Sequence, residues 1–211
     1  MKAVLLDRDG VINRLVYHHD AGVIDSPFIL SQFELLPGVP LAIRQFNDLG
    51  LRVAVVSNQP GIAKGNLTAE TLESFRRKML SEVAEAGGRI DAIYYCLHHP
   101  DAVVPELKQH CQCRKPNTGL LERAASDLDV ALSDCYMIGD GIPDLVAGVT
   151  AGCRTVFIGR WKCEICQFTE APHVRPAFTA KSLWEASQII RAEMNGVECA
   201  SPQRTCGPVK S

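Results

Sequence analysis

The chain has 211 residues, 46% of them hydrophobic, and a formal net charge of -2. That length suits one globular unit with a sizeable core, and the near-neutral balance argues against broad contact with nucleic acid or an anionic membrane surface. No apolar run approaches the ~18–20 residues that span a bilayer, and residues 1–6 meet Asp7 too early for a signal-peptide core, so a cytoplasmic, monomeric protein is expected.

Taken in chain order, short apolar runs alternate with amphipathic stretches. Residues 3–6 (Ala-Val-Leu-Leu) form a continuous apolar run that predicts a buried strand, ending abruptly at Asp7-Arg8-Asp9-Gly10. Val39, Ile43, Phe46 and Leu49 recur at helical spacing, with Gly50 as a C-cap. Residues 53–56 are a second β-branched run, stopping at Ser57-Asn58-Gln59. Thr68 caps a helix whose apolar stripe is Leu72, Phe75, Met79 and Val83. Residues 92–96 predict a third strand, and Leu121, Ala125 and Leu128 another helix. Residues 136–138 predict a strand running into Gly139-Asp140, followed by a helix through Leu145 and Val149 and a strand over 155–158. Leu183, Ile190 and Met194 mark a last helix. Residues 1–194 thus read as one domain and 195–211 as a loose tail. The alternation predicts an α/β, Rossmann-like three-layer sandwich with a mostly parallel sheet. In such sheets the site lies beyond the carboxyl ends of the strands, where Asp7, Ser57 and Asp140 stand.

Four polar clusters can carry chemistry. Asp7 and Asp9 place two carboxylates close together, and a divalent cation such as Mg²⁺, which prefers oxygen ligands, would relieve their repulsion. One could attack phosphorus while the other moves a proton; an acidic strand-end turn without chemistry is the plainer alternative. Ser57 and Asn58 offer a hydroxyl and backbone N–H groups to phosphoryl oxygens. In Arg114-Lys115-Pro116, Lys115 can neutralise a transferring group and Arg114 can grip a second anion. Asp140 and Asp144, four apart, share one helix face and can complete a magnesium site. In this order the four clusters resemble the haloacid dehalogenase superfamily. That resemblance implies Asp7 as nucleophile and Asp9 as general acid/base. It also implies phosphate binding by Arg8, Ser57, Asn58, Gln59, Arg114 and Lys115, and Mg²⁺ on Asp7, Asp9 and Asp140 with support from Asp144.

The nine cysteines are an odd number, so disulfides alone do not account for them. Cys96-x-His98 and Cys111-x-Cys113 supply three thiolates and an imidazole, a donor set for a structural Zn²⁺, with His99 and His110 as competing ligands. A zinc-pinned loop here would fix Arg114 and Lys115 beside the phosphate site. Cys163-x-x-Cys166 has no second pair nearby and reads as incidental. Ser57-Asn58-Gln59-Pro60-Gly61-Ile62-Ala63, residues 94–100 and Cys111-Gln112-Cys113-Arg114-Lys115-Pro116 narrow the resemblance to the heptose bisphosphate phosphatases, which implies a phosphorylated sugar as substrate. In those enzymes a lysine usually follows the aspartate that Asp140 matches; Gly141 stands there in this chain. Neither residues 10–51 nor 60–114 leave room for a large cap domain, so a capless site is expected, with specificity in loops such as 17–32. Histidinol phosphate or another small phosphomonoester is the alternative substrate. A polynucleotide 3′-phosphatase and a non-enzymatic, zinc-stabilised binding module are the remaining alternatives.

Overall fold

The computed structural model describes residues 2–159 and 176–196; the Cys163-x-x-Cys166 pair and residues 197–211 of the tail lie outside the described residues. Its centre is β1 (Ala3–Leu6), every residue of which is buried. Val4 and Leu6 join the apolar cluster on one face of the sheet, Ala3 and Leu5 the cluster on the other. A strand covered on both faces needs apolar residues at consecutive positions, which is why the run shows no polar alternation.

Five further strands pair in parallel with or beyond β1. The sheet order is β5 (Ala92–Cys96), β4 (Arg52–Asn58), β1, β6 (Cys135–Gly139), β7 (Arg154–Ile158) and β8 (Phe178–Ala180). Helices α1 (Val39–Asp48), α2 (Ala69–Glu85) and α5 (Leu183–Met194) bury Ile43, Phe46, Phe75, Met79, Leu183 and Ile190 against one face. Helix α3 (Gly119–Asp127) covers the other face with Leu120, Leu121 and Ala124, and α4 (Ile142–Thr150) adds Ala147 there. Each large aliphatic or aromatic side chain so buried contributes ~1.5–3 kcal/mol. The Thr68 hydroxyl accepts from Thr71 N at 3.2 Å and starts α2 as its spacing predicts.

From β1 the chain builds outward to β4 and β5, then returns to β6 on the opposite side. That reversal of strand order creates a crevice above the tips of β1, β4 and β6. The register aligns Leu6 with Val55 and with Ile138, so Asp7 leaves the sheet between the two neighbouring strand ends. Among the described residues no cap domain interrupts this layout. Residues 10–51 hold only the small antiparallel hairpin β2 (Val16–His18) and β3 (Val23–Asp25), a 3-10 turn at Leu30–Gln32, and α1. The hairpin and the edge strand β8 were not predicted as strands.

Candidate active site

Lys115 organises the site. Its Nζ donates to Asp7 Oδ1 at 2.9 Å and to the Val56 carbonyl at 2.7 Å, and pairs with Asp144 Oδ1 at 2.5 Å. The side chain is only 2% exposed, and these three oxygens hold the ammonium in place beside Asp7. The loop that delivers it is pinned to β4: Asn58 Nδ2 donates to the Lys115 carbonyl and Lys115 N donates to Asn58 Oδ1, each at 3.0 Å. The Lys115–Pro116 peptide is cis.

Asp7 extends β1, its N–H donating to the Ile138 carbonyl at 2.9 Å. Asp144 sits in the first turn of α4, where its Oδ2 accepts from Gly141 N at 3.1 Å. Gly10 turns the chain under Asp140 at a φ of 80°, and a Cβ there would meet Asp140 Oδ2 at 1.9 Å. Only glycine permits both that backbone and that approach.

Asp7, Asp140 and Asp144 each bring a carboxylate oxygen within 4.8 Å of the others. Burial, and then the charges of Asp7 and Asp144, push the Asp140 carboxyl up to about 8. Burial likewise pushes Asp144 up to about 6, although Lys115 pulls it back. Burial opposes the Lys115 charge, but the Asp7 and Asp144 carboxylates outweigh it and hold that ammonium above its ordinary range. Three carboxylates thus share one lysine, and the group is short of positive charge. A hard divalent cation fits this all-oxygen donor set.

The charge deficit has a measurable sign. Asp140 ionises near 3.8 in ordinary surroundings, so between about pH 4 and about pH 8 the folded chain holds a proton that the unfolded chain has released. Stability then falls as pH rises through that window. Protein depleted of magnesium but retaining zinc is expected to melt at lower temperature near pH 8 than near pH 5, and Mg²⁺ should restore the loss. A flat melting profile over this range would contradict the deficit.

The Asp9 carboxylate is held apart from the carboxylates of Asp7, Asp140 and Asp144, so a contact of Asp9 with the metal would come from its backbone carbonyl. Its Oδ1 accepts from Arg8 Nη2 at 3.0 Å and Asn13 Nδ2 at 2.9 Å. Its Oδ2 accepts from Arg8 Nη2 at 3.0 Å and Gln59 Nε2 at 2.5 Å. The Arg8 side chain is buried in the core beneath the site, so the expected contact of Arg8 with phosphate would come from its backbone N–H. Asn58 and Gln59, also expected at the phosphate, have their side-chain amides committed to Lys115 and to Asp9 and Ser57 respectively. Asn13 was missed; its only sequence signal is the spacing of four from Asp9 across the Gly10 turn.

The four expected zinc ligands converge. Cys96 Sγ lies 3.5 Å from Cys111 Sγ and 3.3 Å from Cys113 Sγ, and His98 Nδ1 lies 3.4 Å from Cys113 Sγ. Tetrahedral zinc with ~2.3 Å bonds to sulfur separates such sulfurs by ~3.8 Å, so the cage fits the ion with slight expansion. His99 is excluded because its Nδ1 accepts from Asp101 N at 3.1 Å, and His110 is exposed and outside the cluster. Burial pushes the Cys96 thiol up, so ionised sulfur here needs a cation beside it. Arg114 donates from Nη1 to the His98 carbonyl at 3.3 Å, tying the cage to the segment that carries Lys115.

Comparison with known proteins agrees with this geometry. A family model described as HAD-hydrolase-like matches residues 112–186. The D-glycero-β-D-manno-heptose-1,7-bisphosphate 7-phosphatase of Yersinia pestis is 37% identical over 158 residues, which cover 75% of this chain and 80% of that protein. The enzyme of the same name from Pseudomonas putida is 37% identical over 164 residues, covering 78% and 86%. Among solved structures, the D,D-heptose 1,7-bisphosphate phosphatase of B. bronchiseptica, complexed with magnesium and phosphate, superimposes with a TM-score of 0.74 at 30% identity, covering 92% of this chain and 99% of that one.

Proposed function

We infer, from the premise that the chain belongs to the haloacid dehalogenase-like hydrolases and within them to the family of the D-glycero-β-D-manno-heptose-1,7-bisphosphate 7-phosphatases, that it hydrolyses the 7-phosphate of that sugar bisphosphate through an aspartyl-phosphate on Asp7. The observation that carries this reading is the Lys115 ammonium set between Asp7 and Asp144 at the tips of β1 and β6. A nucleophilic carboxylate, a fixed cation beside it and a buried acidic pair are what phosphoryl transfer to an acidic side chain requires.

Asp7 attacks phosphorus and the bond from phosphorus to the sugar oxygen breaks, with Asp9 giving that oxygen its proton. Asp9 then takes a proton from the water that attacks the aspartyl-phosphate, releasing inorganic phosphate and restoring Asp7. Lys115 and the Ser57 hydroxyl hold the phosphoryl oxygens. Asp7, Asp140 and Asp144 would hold Mg²⁺, which supplies charge neutralisation for the phosphoryl group when bound. Cys96, His98, Cys111 and Cys113 would hold Zn²⁺, which acts through the geometry of the loop.

A cleft of about 730 Å³ opens from Asp140 and is bordered by Gly10, Arg14, Leu36, Phe157 and Lys181. Its size and its two cations suit a sugar bearing a second phosphate. Arg114, beside the zinc cage and outside the lining of that cleft, is a further cation on the rim of the phosphate site. The reading carries residues 1–194 as the catalytic unit, a monomer in the cytoplasm, with no nucleic-acid or membrane partner. The near-neutral charge weighs against a nucleic-acid partner; among the described residues no helix is long and apolar enough to cross a membrane.

The test is phosphate release, with Mg²⁺ present, from the heptose 1,7-bisphosphate, its monophosphate and histidinol phosphate. The bisphosphate is expected to lead in kcat/KM by ~10²-fold, or ~2.7 kcal/mol of transition-state discrimination. A flat profile would leave the phosphatase chemistry standing and reject the heptose substrate.

A further inference from the structure

The buried Arg8 has no part in the chemistry described so far. Its guanidinium lies 5.8 Å from the ring centroid of Phe33 and 5.6 Å from those of Phe75 and Tyr95. Phe33 and Phe75 are themselves stacked, with centroids 5.1 Å apart. Inside this aromatic cage Nη2 reaches both oxygens of Asp9 at 3.0 Å, and the Tyr95 hydroxyl is the other polar group that stabilises the cation. Side-chain exposure is 1% for Arg8 and 14% for Asp9. The cation therefore faces the core, and the carboxylate stands between it and the open site.

A buried arginine is a poor device for stability alone, since taking its charge out of water costs several kcal/mol. An apolar side chain of similar volume would fill the cage without that loss. What the guanidinium adds is directional. The rings fix its plane, one nitrogen clasps both oxygens of Asp9, and Asn13 and Gln59 close on the same carboxylate from either side. Three neutral or cationic donors leave that carboxylate little freedom to rotate.

We propose that Arg8 is a positioning residue for Asp9, held in an aromatic cage so that it fixes the rotation of the carboxylate that serves the leaving oxygen. The proposal rests on the reading of Asp9 as general acid and base given above. Positioning of a proton donor has a signature that general weakening of the fold lacks. A sugar or alkyl phosphate needs a proton on its leaving oxygen, whereas p-nitrophenyl phosphate departs without one.

The experiment compares kcat and KM on both kinds of ester for the wild type, Asp9→Asn, Arg8→Met and Arg8→Lys, with zinc content and melting temperature checked for each. General acid–base catalysis is worth ~10²–10⁴-fold. Arg8→Met is accordingly expected to lose ~10²-fold or more in kcat/KM on the alkyl ester and a few-fold at most on the aryl ester, because kcat/KM reports transfer to Asp7 and not the later hydrolysis that both esters share. Arg8→Lys keeps the charge and loses the planar group. It should show the same selectivity with a smaller loss, and it serves if Arg8→Met does not fold. Equal losses of kcat/KM on the two esters in a folded Arg8 variant would overturn the proposal while Asp9→Asn stays selective. If Asp9→Asn itself shows no selectivity between the esters, the reading of Asp9 falls, and the role of Arg8 with it.

Discussion

Replacing Asp7 by Asn is expected to abolish turnover, with a loss of at least ~10⁴-fold in kcat on every phosphate ester. The amide occupies the same volume but cannot form an acyl phosphate by attack on phosphorus. No neighbouring group can substitute. Asp9 is clasped by Arg8, Asn13 and Gln59, and Asp144 is shared between Lys115 and the amino terminus of α4. The fold should survive, because Lys115 keeps Asp144 and the Val56 carbonyl as partners and the acidic cluster loses one repelling charge. The checks are phosphate release, circular dichroism and zinc content on one preparation. Residual turnover within ~10²-fold of wild type in a folded variant would reject the covalent pathway.

Removing zinc should produce the second large effect, and through geometry alone. The cage joins Cys96 at the end of β5 to Cys111, fifteen residues on, and to Cys113, two residues before Lys115. A cross-link closing a loop of ~15 residues is worth about 3 kcal/mol in the chain-entropy account, and in a protein of this size each 1 kcal/mol moves the melting temperature by ~2–4 °C. Stripping the metal, or replacing Cys96 by Ala, should therefore lower melting by roughly 6–12 °C. It should also lower kcat by more than ~10²-fold, since a displacement of ~1 Å in a positioned group can cost that much. Asn58 still grips Lys115 through two backbone contacts, so some organisation should persist. Readdition of Zn²⁺ should recover both quantities. Identical melting curves with and without zinc would show that the cage does not hold the loop.

The parts of the molecule that were legible in the sequence are those where burial on both faces forces a pattern. β1, β4 and β6 are apolar at consecutive positions, and each runs directly into a polar cluster, so both strands and site could be placed. The zinc ligands were legible for a similar reason, because thiols and an imidazole at short spacing have few other uses. The hairpin β2–β3 was not, since Tyr17, Val23 and Ile24 are exposed and its three-residue strands show neither a helical nor an alternating period. The edge strand β8 is equally short.

The inward turn of the Arg8 side chain follows from its parity, although it stands between two site aspartates. Val4, Leu6 and Arg8 alternate in step, and the face that Val4 and Leu6 share is the one covered by Phe33 and Phe75. The two-residue period of a strand, continued past its last ladder position, directs Arg8 into the core and Asp7 toward Lys115. Gln59 and Asn58 carry a different lesson. Their residue types fit a phosphate loop, but side-chain amides serve as readily to brace a neighbouring aspartate or a loop backbone. Sequence alone does not distinguish the two uses.

The covalent step on Asp7 can be tested directly by mixing the Asp9→Asn variant with p-nitrophenyl phosphate, quenching in acid and reducing the enzyme with borohydride. The aryl ester needs no proton to leave, and without Asp9 the water that clears the acyl phosphate lacks its base, so the intermediate should accumulate. Mass spectrometry is then expected to find homoserine at position 7 and at no other aspartate. Stoichiometric nitrophenol release in the first turnover with Asp7 unmodified would contradict an aspartyl-phosphate pathway.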